Sequence, residues 1–177
     1  MSEELNIPTG IDKIETYKSL IPQLEALING ETDLIANLAN LSAALHETFG
    51  WLWVGFYWVK NNELVLAPFQ GPIACTRIKY GKGVCGTVWK NASINEGLHA
   101  INETSHAMSL LVPDVNAFPG HIACSSSSVS EIVIPIFDKE HKVVGVLDID
   151  SESYDVLDET DVFYLERVCQ LITNIIY

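Results

Sequence analysis

The hydrophobic pattern of this chain changes its period once, near Gly50. Before this glycine, apolar residues recur at helical spacing over residues 11–29 and again over 32–50, where Thr32 is the predicted N-cap. From Trp51 to Val59 the chain is instead aromatic and β-branched, which is typical of a strand. The change predicts two helices that pack together on one face of a sheet beginning at Trp51.

The rest of the chain predicts a sheet built mostly from hairpins. Further strands are predicted at 64–69, 73–78, 110–112, 132–137 and 142–150, with a short helix after Gly81 and a last helix from Asp158 to about residue 176. Short connections favour antiparallel pairing. The expected fold is therefore α+β: one domain over residues 1–177, with a mostly antiparallel six-stranded sheet, N-terminal helices and a C-terminal helix packed against it. An irregular polar insert is expected around 91–109.

Charge and hydropathy exclude several classes of partner. The formal net charge is −13, which disfavours nucleic acids and anionic membrane surfaces. The N-terminal residues lack the basic start and apolar stretch of a signal peptide, and the longest apolar run, Trp51 to Val59, is too short to span a bilayer. We expect a cytoplasmic protein that binds neither nucleic acid nor membrane.

The chain has four cysteines and no secretory signal, which argues against a disulfide framework. Cys169 lies on the apolar stripe of the last predicted helix and is expected to be a buried hydrophobic residue. Cys75, Cys85 and Cys124 lie beside glycines or in loops, and a helix N-terminus near Cys85 is expected to favour its thiolate. Redox chemistry is the favoured interpretation, and two alternatives stay open: inert buried thiols, or a zinc site completed by His121, although no Cys-x-x-Cys pair is present.

Acidic residues enter one of the predicted strands. Asp148 and Asp150 are two residues apart and therefore face the same side, together with Val144 and Val146, and Glu131 begins the neighbouring strand. Carboxylates in an otherwise apolar strand require a cationic partner, such as an ammonium group or a hard metal ion. The alternative is that these acids mark strand ends that enter solvent.

Two aromatic side chains share a face of the first predicted strand. Trp53 and Tyr57 are four residues apart, so both project to the same side of the sheet. Such residues usually belong to a core, and they can also line an apolar pocket for a small ligand.

Taken together, these features resemble the free methionine-(R)-sulfoxide reductases, a stand-alone branch of the GAF-domain superfamily. The matching segments run in family order over nearly the whole chain: 53–57, 68–75, 81–87, 114–124, 130–135 and 145–151. Two of them are specific to this branch, Gly83-Val84-Cys85-Gly86 and His121-Ile122-Ala123-Cys124. The chain departs from the family pattern in its longer connection around 91–109.

The resemblance implies an oxidoreductase that reduces free methionine-(R)-sulfoxide, with thioredoxin as its reductant and a homodimeric assembly. It implies that Cys124 is the nucleophile, that Cys75 is the principal resolving cysteine and that Cys85 is a third redox cysteine. The implied substrate-binding residues are Glu131, Asp148, Asp150, Trp53 and Tyr57. This chemistry requires no metal and no organic cofactor. Two alternatives are a GAF-type ligand-binding or redox-sensing module without turnover, and a zinc-stabilised interaction domain.

Overall fold

The chain forms one twisted antiparallel sheet between two layers of helices. In this computed structural model, residues 4–94, 108–121 and 126–176 are described. The elements are α1 (Lys13–Ile28), α2 (Leu34–Phe49), β1 (Trp53–Lys60), β2 (Glu63–Gln70), β3 (Arg77–Lys79), α3 (Gly83–Ile94), β4 (Leu110–Val112), a 3₁₀ turn (Val115–Ala117), β5 (Ser130–Phe137), β6 (Val143–Ser151) and α4 (Glu159–Ile175). The strand order is β3-β2-β1-β6-β5-β4, and every neighbouring pair is antiparallel. This confirms the α+β, six-stranded fold expected from the sequence.

Side-chain caps define the ends of the N-terminal helices. The Asp12 carboxylate accepts the Glu15 amide at the start of α1, 2.9 Å away, and α1 continues through Pro22 to Ile28. The predicted Thr32 cap of α2 is wrong. The cap is Asp33, whose carboxylate reaches the free amide of Ala36 at 2.9 Å.

Two predicted boundaries differ from the structure. The strand expected over 73–78 is reduced to β3, because the carbonyls of Pro72 and Cys75 accept hydrogen bonds from side chains of β1, and backbone bonding to β2 resumes only at the Thr76 carbonyl. The insert begins later than expected, since residues 91–94 form the last turn of α3. That turn is helical because Ala92 continues the buried spacing of Val84 and Val88. Residues 95–107 of the insert lie outside the described residues.

The sheet separates two apolar cores. On one side, alternate strand residues such as Phe56, Leu147 and Ile149 pack against α1, α2 and α4. On the other side, residues such as Tyr57 and Val146 pack against α3. Within the described ranges, none of the four helices has the length and apolarity that a bilayer crossing requires.

A β-bulge changes the predicted faces of β6 near its start. Gly145 pairs with Ile136 and Val143 pairs with Phe137, so Val144 is an extra residue in the ladder. Val144 consequently packs on the helix-rich side, and not on the face of Asp148 as its spacing predicted. The bulge precedes Asp148, so the shared face of Asp148 and Asp150 is retained.

A buried carboxylate joins the first helix to the last. Asp161 is fully buried, accepts bonds from Lys13 Nζ at 2.6 Å and Tyr17 Oη at 2.9 Å, and completes a capping box with Asp158. Burial lowers the pKa of Lys13, but its bonds to Asp158 and Asp161 outweigh this effect and leave the pKa raised. The ammonium charge is therefore maintained at neutral pH.

Replacing this lysine tests the network. Lys13→Met leaves the Asp161 carboxylate buried without its ammonium partner, and we expect a loss of about 1–2 kcal/mol in the free energy of unfolding, discounted because Lys13 is partly exposed to solvent. Urea denaturation at pH 7 measures this loss. Lys18→Met is the matched control, because Lys18 pairs with Glu15 on the exposed surface of α1. Equal urea midpoints for Lys13→Met and Lys18→Met would contradict a role of the buried network in the stability of the fold.

Candidate active site

A cleft opens on the α3 side of the sheet. Its volume is about 560 Å³ with the open mouth included, which is in the range of small-molecule sites. Its walls come from β1, β5, β6, the start of α3 and the segment after β2. Six of the residues predicted from the sequence line it: Trp53, Tyr57, Cys85, Glu131, Asp148 and Asp150.

Strand register brings the three acidic residues together. Glu131 on β5 pairs directly with Asp150 on β6, and Asp148 lies two residues earlier on the same face. Glu131 and Asp148 are each 6% exposed, so both are buried. Within the described part of the chain, no lysine or arginine forms an ion pair with any of the three. The cluster therefore lacks the basic partner that buried carboxylates ordinarily have.

Burial raises the pKa of each carboxyl group in the cluster. Burial is the main cause for Glu131 and Asp148, and Asp150 raises both further by repulsion between like charges. Burial raises the pKa of Asp150 to about 6, although a hydrogen bond donated by the Ser128 hydroxyl opposes the rise. The cluster therefore holds protons close to neutral pH, which makes it a source of protons as well as a cation site.

His121 lies at the edge of this cluster. Its Nε2 is 4.0 Å from Glu131 Oε2, and burial lowers the pKa of the imidazole. A neutral imidazole adds no fixed positive charge, so it does not supply the missing counter-ion.

One carboxylate oxygen is left without a donor. Asp148 Oδ1 is buried and, in the described parts of the molecule, has no hydrogen-bond partner. Unsatisfied buried oxygens are rare in proteins and usually indicate a missing ligand or water. In this cleft the oxygen has room for a donor from outside the described residues, such as a bound ligand.

A metal ion and an ammonium group are the two candidate occupants of the acidic cluster. Ligand atoms of Cys85, Glu131 and Asp148 lie within 4.8 Å of one another, close enough for one metal ion. A metal requires the thiolate form of Cys85. Without a bound ion, burial and the charges of Asp148 and Glu131 raise the pKa of Cys85 and favour the thiol, which lies 3.9 Å from Glu131 Oε1. An ammonium group satisfies Asp148 Oδ1 without displacing that proton.

The same observation corrects the expectation for Cys85. Its position near the start of α3 predicted an exposed thiol favoured as thiolate, whereas the side chain is 3% exposed. Burial and two neighbouring carboxyl groups outweigh the partial positive charge of the helix N-terminus.

The other cysteines differ in their bonding. Cys75 is disulfide-bonded, while Cys85 and Cys169 are free and buried. Cys169 lies in the helix-side core, as its helical spacing predicted. Cys124 lies outside the described residues.

Two aromatic rings form the apolar wall of the cleft. Trp53 and Tyr57 stack with centroids 5.9 Å apart, and Trp53 stacks on Phe69 at 5.3 Å. Gly55 lies between them on β1, and a Cβ there would come within 2.4 Å of the Trp53 ring and 2.3 Å of Phe69 Cβ. Gly55 is not among the site residues predicted from the sequence. A glycine between two aromatic residues on one strand face was the available signal.

The same rings bond the segment that carries Cys75. Trp53 Nε1 donates to the Pro72 carbonyl at 3.1 Å, and Tyr57 Oη donates to the Cys75 carbonyl at 3.0 Å. Gly71 makes the chain reversal before this segment, with φ of 128° and no room for a Cβ against the Leu52 carbonyl, 2.6 Å away. The geometry thus brings the predicted aromatic residues, the acidic cluster and the Cys75 segment to one cleft.

Comparison with known proteins agrees with this geometry. Residues 32–176 match the GAF domain family. GAF domain-containing protein A of Dictyostelium discoideum is 51% identical over 175 residues, covering 98% of this chain and 100% of that protein. The free methionine-R-sulfoxide reductase of Saccharomyces cerevisiae is 37% identical over 181 residues, covering 98% of this chain and 92% of that protein.

A solved structure extends the agreement to three dimensions. The X-ray structure of free methionine-R-sulfoxide reductase from Neisseria meningitidis, in complex with its substrate, superposes with a TM-score of 0.86. The two chains are 45% identical, and the match covers 98% of this chain and 95% of that one. With its sheet, its cleft and its near full-length similarity to these reductases, the chain belongs to the free methionine-R-sulfoxide reductase family of GAF-domain proteins.

Proposed function

We propose that this chain reduces free methionine-(R)-sulfoxide to methionine by thiol chemistry. The observation that carries the proposal is the meeting, in one cleft, of an acidic cluster with an unsatisfied oxygen, an aromatic wall and the segment of a disulfide-bonded cysteine. The similarity to reductases over almost the full chain favours turnover over a sensing module.

Charge explains why a free amino acid is the proposed substrate. The α-ammonium group of a free amino acid offers three N–H donors and a positive charge to Asp148, Glu131 and Asp150. A residue within a peptide presents a neutral amide nitrogen there, which leaves the carboxylates unpaired. The methyl-sulfinyl end of the substrate then packs against Trp53 and Tyr57.

The first half of the proposed reaction takes place at Cys124. Its thiolate attacks the sulfoxide sulfur, and a neutral carboxylic acid of the cluster gives a proton to the oxygen. Methionine leaves and the oxygen ends on Cys124 as a sulfenic acid. The sulfur of the substrate is reduced by two electrons, and the Cys124 sulfur is oxidised by two.

The second half regenerates the thiols. The Cys75 thiol condenses with the sulfenic acid, so that a disulfide forms and water leaves. In this proposal Cys124, which carries the sulfenic acid, is the partner of Cys75, and Cys85 and Cys169 stay free. We propose that Cys75 resolves the sulfenic acid first and that Cys85 takes part later, because a buried thiol with a raised pKa exchanges slowly.

Thioredoxin is the proposed reductant of this disulfide, by thiol–disulfide exchange. The scheme uses no metal and no organic cofactor. A cytoplasmic location, a homodimeric assembly and a single domain over residues 1–177 complete the proposal.

A coupled assay tests the proposal. The protein is combined with thioredoxin, thioredoxin reductase and NADPH, and NADPH oxidation is followed with free methionine-(R)-sulfoxide, its S epimer and a peptide-bound sulfoxide. We expect oxidation of NADPH with the free R form alone. An inactive protein would instead favour the sensing module.

Cysteine variants test the division of roles. Cys124→Ser removes the nucleophile and is expected to abolish turnover, whereas Cys75→Ser should form about one methionine per chain and then stop. Quench-flow measurement of methionine separates the two. Cys169→Ala is the control and should keep multiple turnover, because Cys169 lies in the opposite core. Repeated turnover by Cys124→Ser would exclude the assignment.

Replacement of Asp148 tests whether the acidic cluster is needed for substrate binding or for folding. Asp148→Asn removes a charge partner of the ammonium group, so kcat/KM should fall on the order of 10- to 100-fold. The melting temperature at pH 7.5 should stay equal or rise, because an uncompensated buried carboxyl group is removed.

The pH dependence of stability has a definite sign. A carboxyl group with a raised pKa binds its proton more tightly in the folded chain than in the unfolded one, so the contribution of Asp148 to stability falls as pH rises above about 4. Asp148→Asn should reduce this fall, measured by urea denaturation from pH 4 to 8. A variant that is unfolded, or that keeps full activity, contradicts the proposed role.

A further inference from the structure

The segment from Gly71 to Cys75 lies between β2 and β3 and packs on the α3-side core through Ala74 and Cys75. It forms no strand, and Ile73 at its centre is 91% exposed, so that apolar side chain does not anchor it. The backbone ladder holds it at its ends, through the pairing of Gln70 with Val54 and a bond from the Leu66 amide to the Thr76 carbonyl at 3.0 Å. Between these ends, its placement depends on contacts from other parts of the fold.

Two side chains of β1 supply such contacts. Tyr57 Oη donates to the carbonyl of Cys75 itself at 3.0 Å, and Trp53 Nε1 donates to the carbonyl of Pro72 at 3.1 Å. Both donors project from the centre of the sheet, where Tyr57 is 1% exposed and stacks on Trp53. These two side chains therefore fix the distance between the backbone of the Cys75 segment and the sheet.

The Tyr57 hydroxyl is suited to this task and not to proton transfer. Burial and the neighbouring carboxyl groups raise the pKa of Tyr57, so the phenol keeps its proton at any working pH. Its hydrogen bond is directed at a backbone carbonyl of the disulfide-bonded residue. The bond is thus present in the disulfide form, which is the form seen here.

We propose that Tyr57 is a positioning residue for the disulfide step, and that its bond to the Cys75 carbonyl stabilises the disulfide form relative to the dithiol form. This inference rests on the proposed function, in which the Cys75 thiol condenses with a sulfenic acid and water leaves. Tyr57 therefore has two proposed roles. It lines the aromatic wall of the cleft, and it positions the resolving cysteine, Cys75.

The equilibrium between disulfide and dithiol tests this role in the absence of substrate. The protein is equilibrated with mixtures of reduced and oxidised dithiothreitol, which exchange two electrons with the Cys75 disulfide, and the fractions are counted by thiol alkylation and mass spectrometry. Tyr57→Phe keeps the ring and removes the donor. Loss of one hydrogen bond is expected to shift the equilibrium roughly two- to tenfold toward the dithiol.

Tyr80→Phe is the matched control. Tyr80 Oη also donates to a backbone carbonyl, that of Lys90 at 3.4 Å, but does not contact the Cys75 segment in the hydrogen bonds seen here. It should leave the equilibrium unchanged. Trp53→Phe removes the second bond and should shift the equilibrium in the same direction as Tyr57→Phe, which keeps the test open if one variant folds poorly.

A kinetic readout separates positioning from general destabilisation. After one equivalent of methionine-(R)-sulfoxide, a dimedone-type probe should trap a larger share of sulfenic acid in Tyr57→Phe than in the unaltered protein, because disulfide formation is slower. An unshifted equilibrium together with unchanged trapping overturns the inference while leaving the reductase activity intact. A shifted equilibrium in a protein that does not reduce the sulfoxide supports the positioning role and overturns the proposed function.

Discussion

The alternation of side chains along β6 determines the arrangement of the whole molecule. Leu147 and Ile149 enter the core under α1, α2 and α4, while Asp148 and Asp150 enter the cleft on the opposite side. A slip of one residue in the pairing would place both carboxylates in the helix-side core and both aliphatic side chains in the cleft. The register of the central strand and the chemistry of the site are therefore specified by the same residues.

The buried acidic cluster lowers the stability of the folded chain. Three carboxyl groups share one face of two paired strands without a basic partner in the described residues, and each has a raised pKa. An interior optimised for stability alone would contain apolar side chains at these positions. The surrounding apolar layers supply the stability that permits this arrangement, and the proposed function uses the cluster to bind a cation and to supply protons.

Local signals in the sequence predicted the elements well, because periodicity and caps act over a few residues. The change of period at Gly50, the hairpin of β5 and β6 and the Asp158 cap are of this kind. Competing caps one residue apart, such as Thr32 and Asp33, are not separated by pattern.

Contacts distant in sequence limited the prediction of the site. The raised pKa of Cys85 comes from burial and from Glu131 and Asp148, which lie more than forty residues away along the chain, so it has no local signature. The bulge at Val144 depends on the pairing with β5. Conversely, the shared face of Trp53 and Tyr57 followed from strand geometry alone, while their bonds to the Cys75 segment did not.

The position of β3 in the sheet bears on how the protein accommodates its own chemistry. β3 is an edge strand of three residues, joined to β2 by three residue pairs, and it begins two residues after Cys75. β3 and β4 are both edge strands of three residues, so the disulfide-bonded Cys75 lies beside one border of the sheet, while Asp148 and Asp150 lie on β6 in its interior. The cross-linked residue and the two carboxylates of β6 therefore lie in different parts of the sheet, and the bond from Tyr57 Oη to the Cys75 carbonyl connects them.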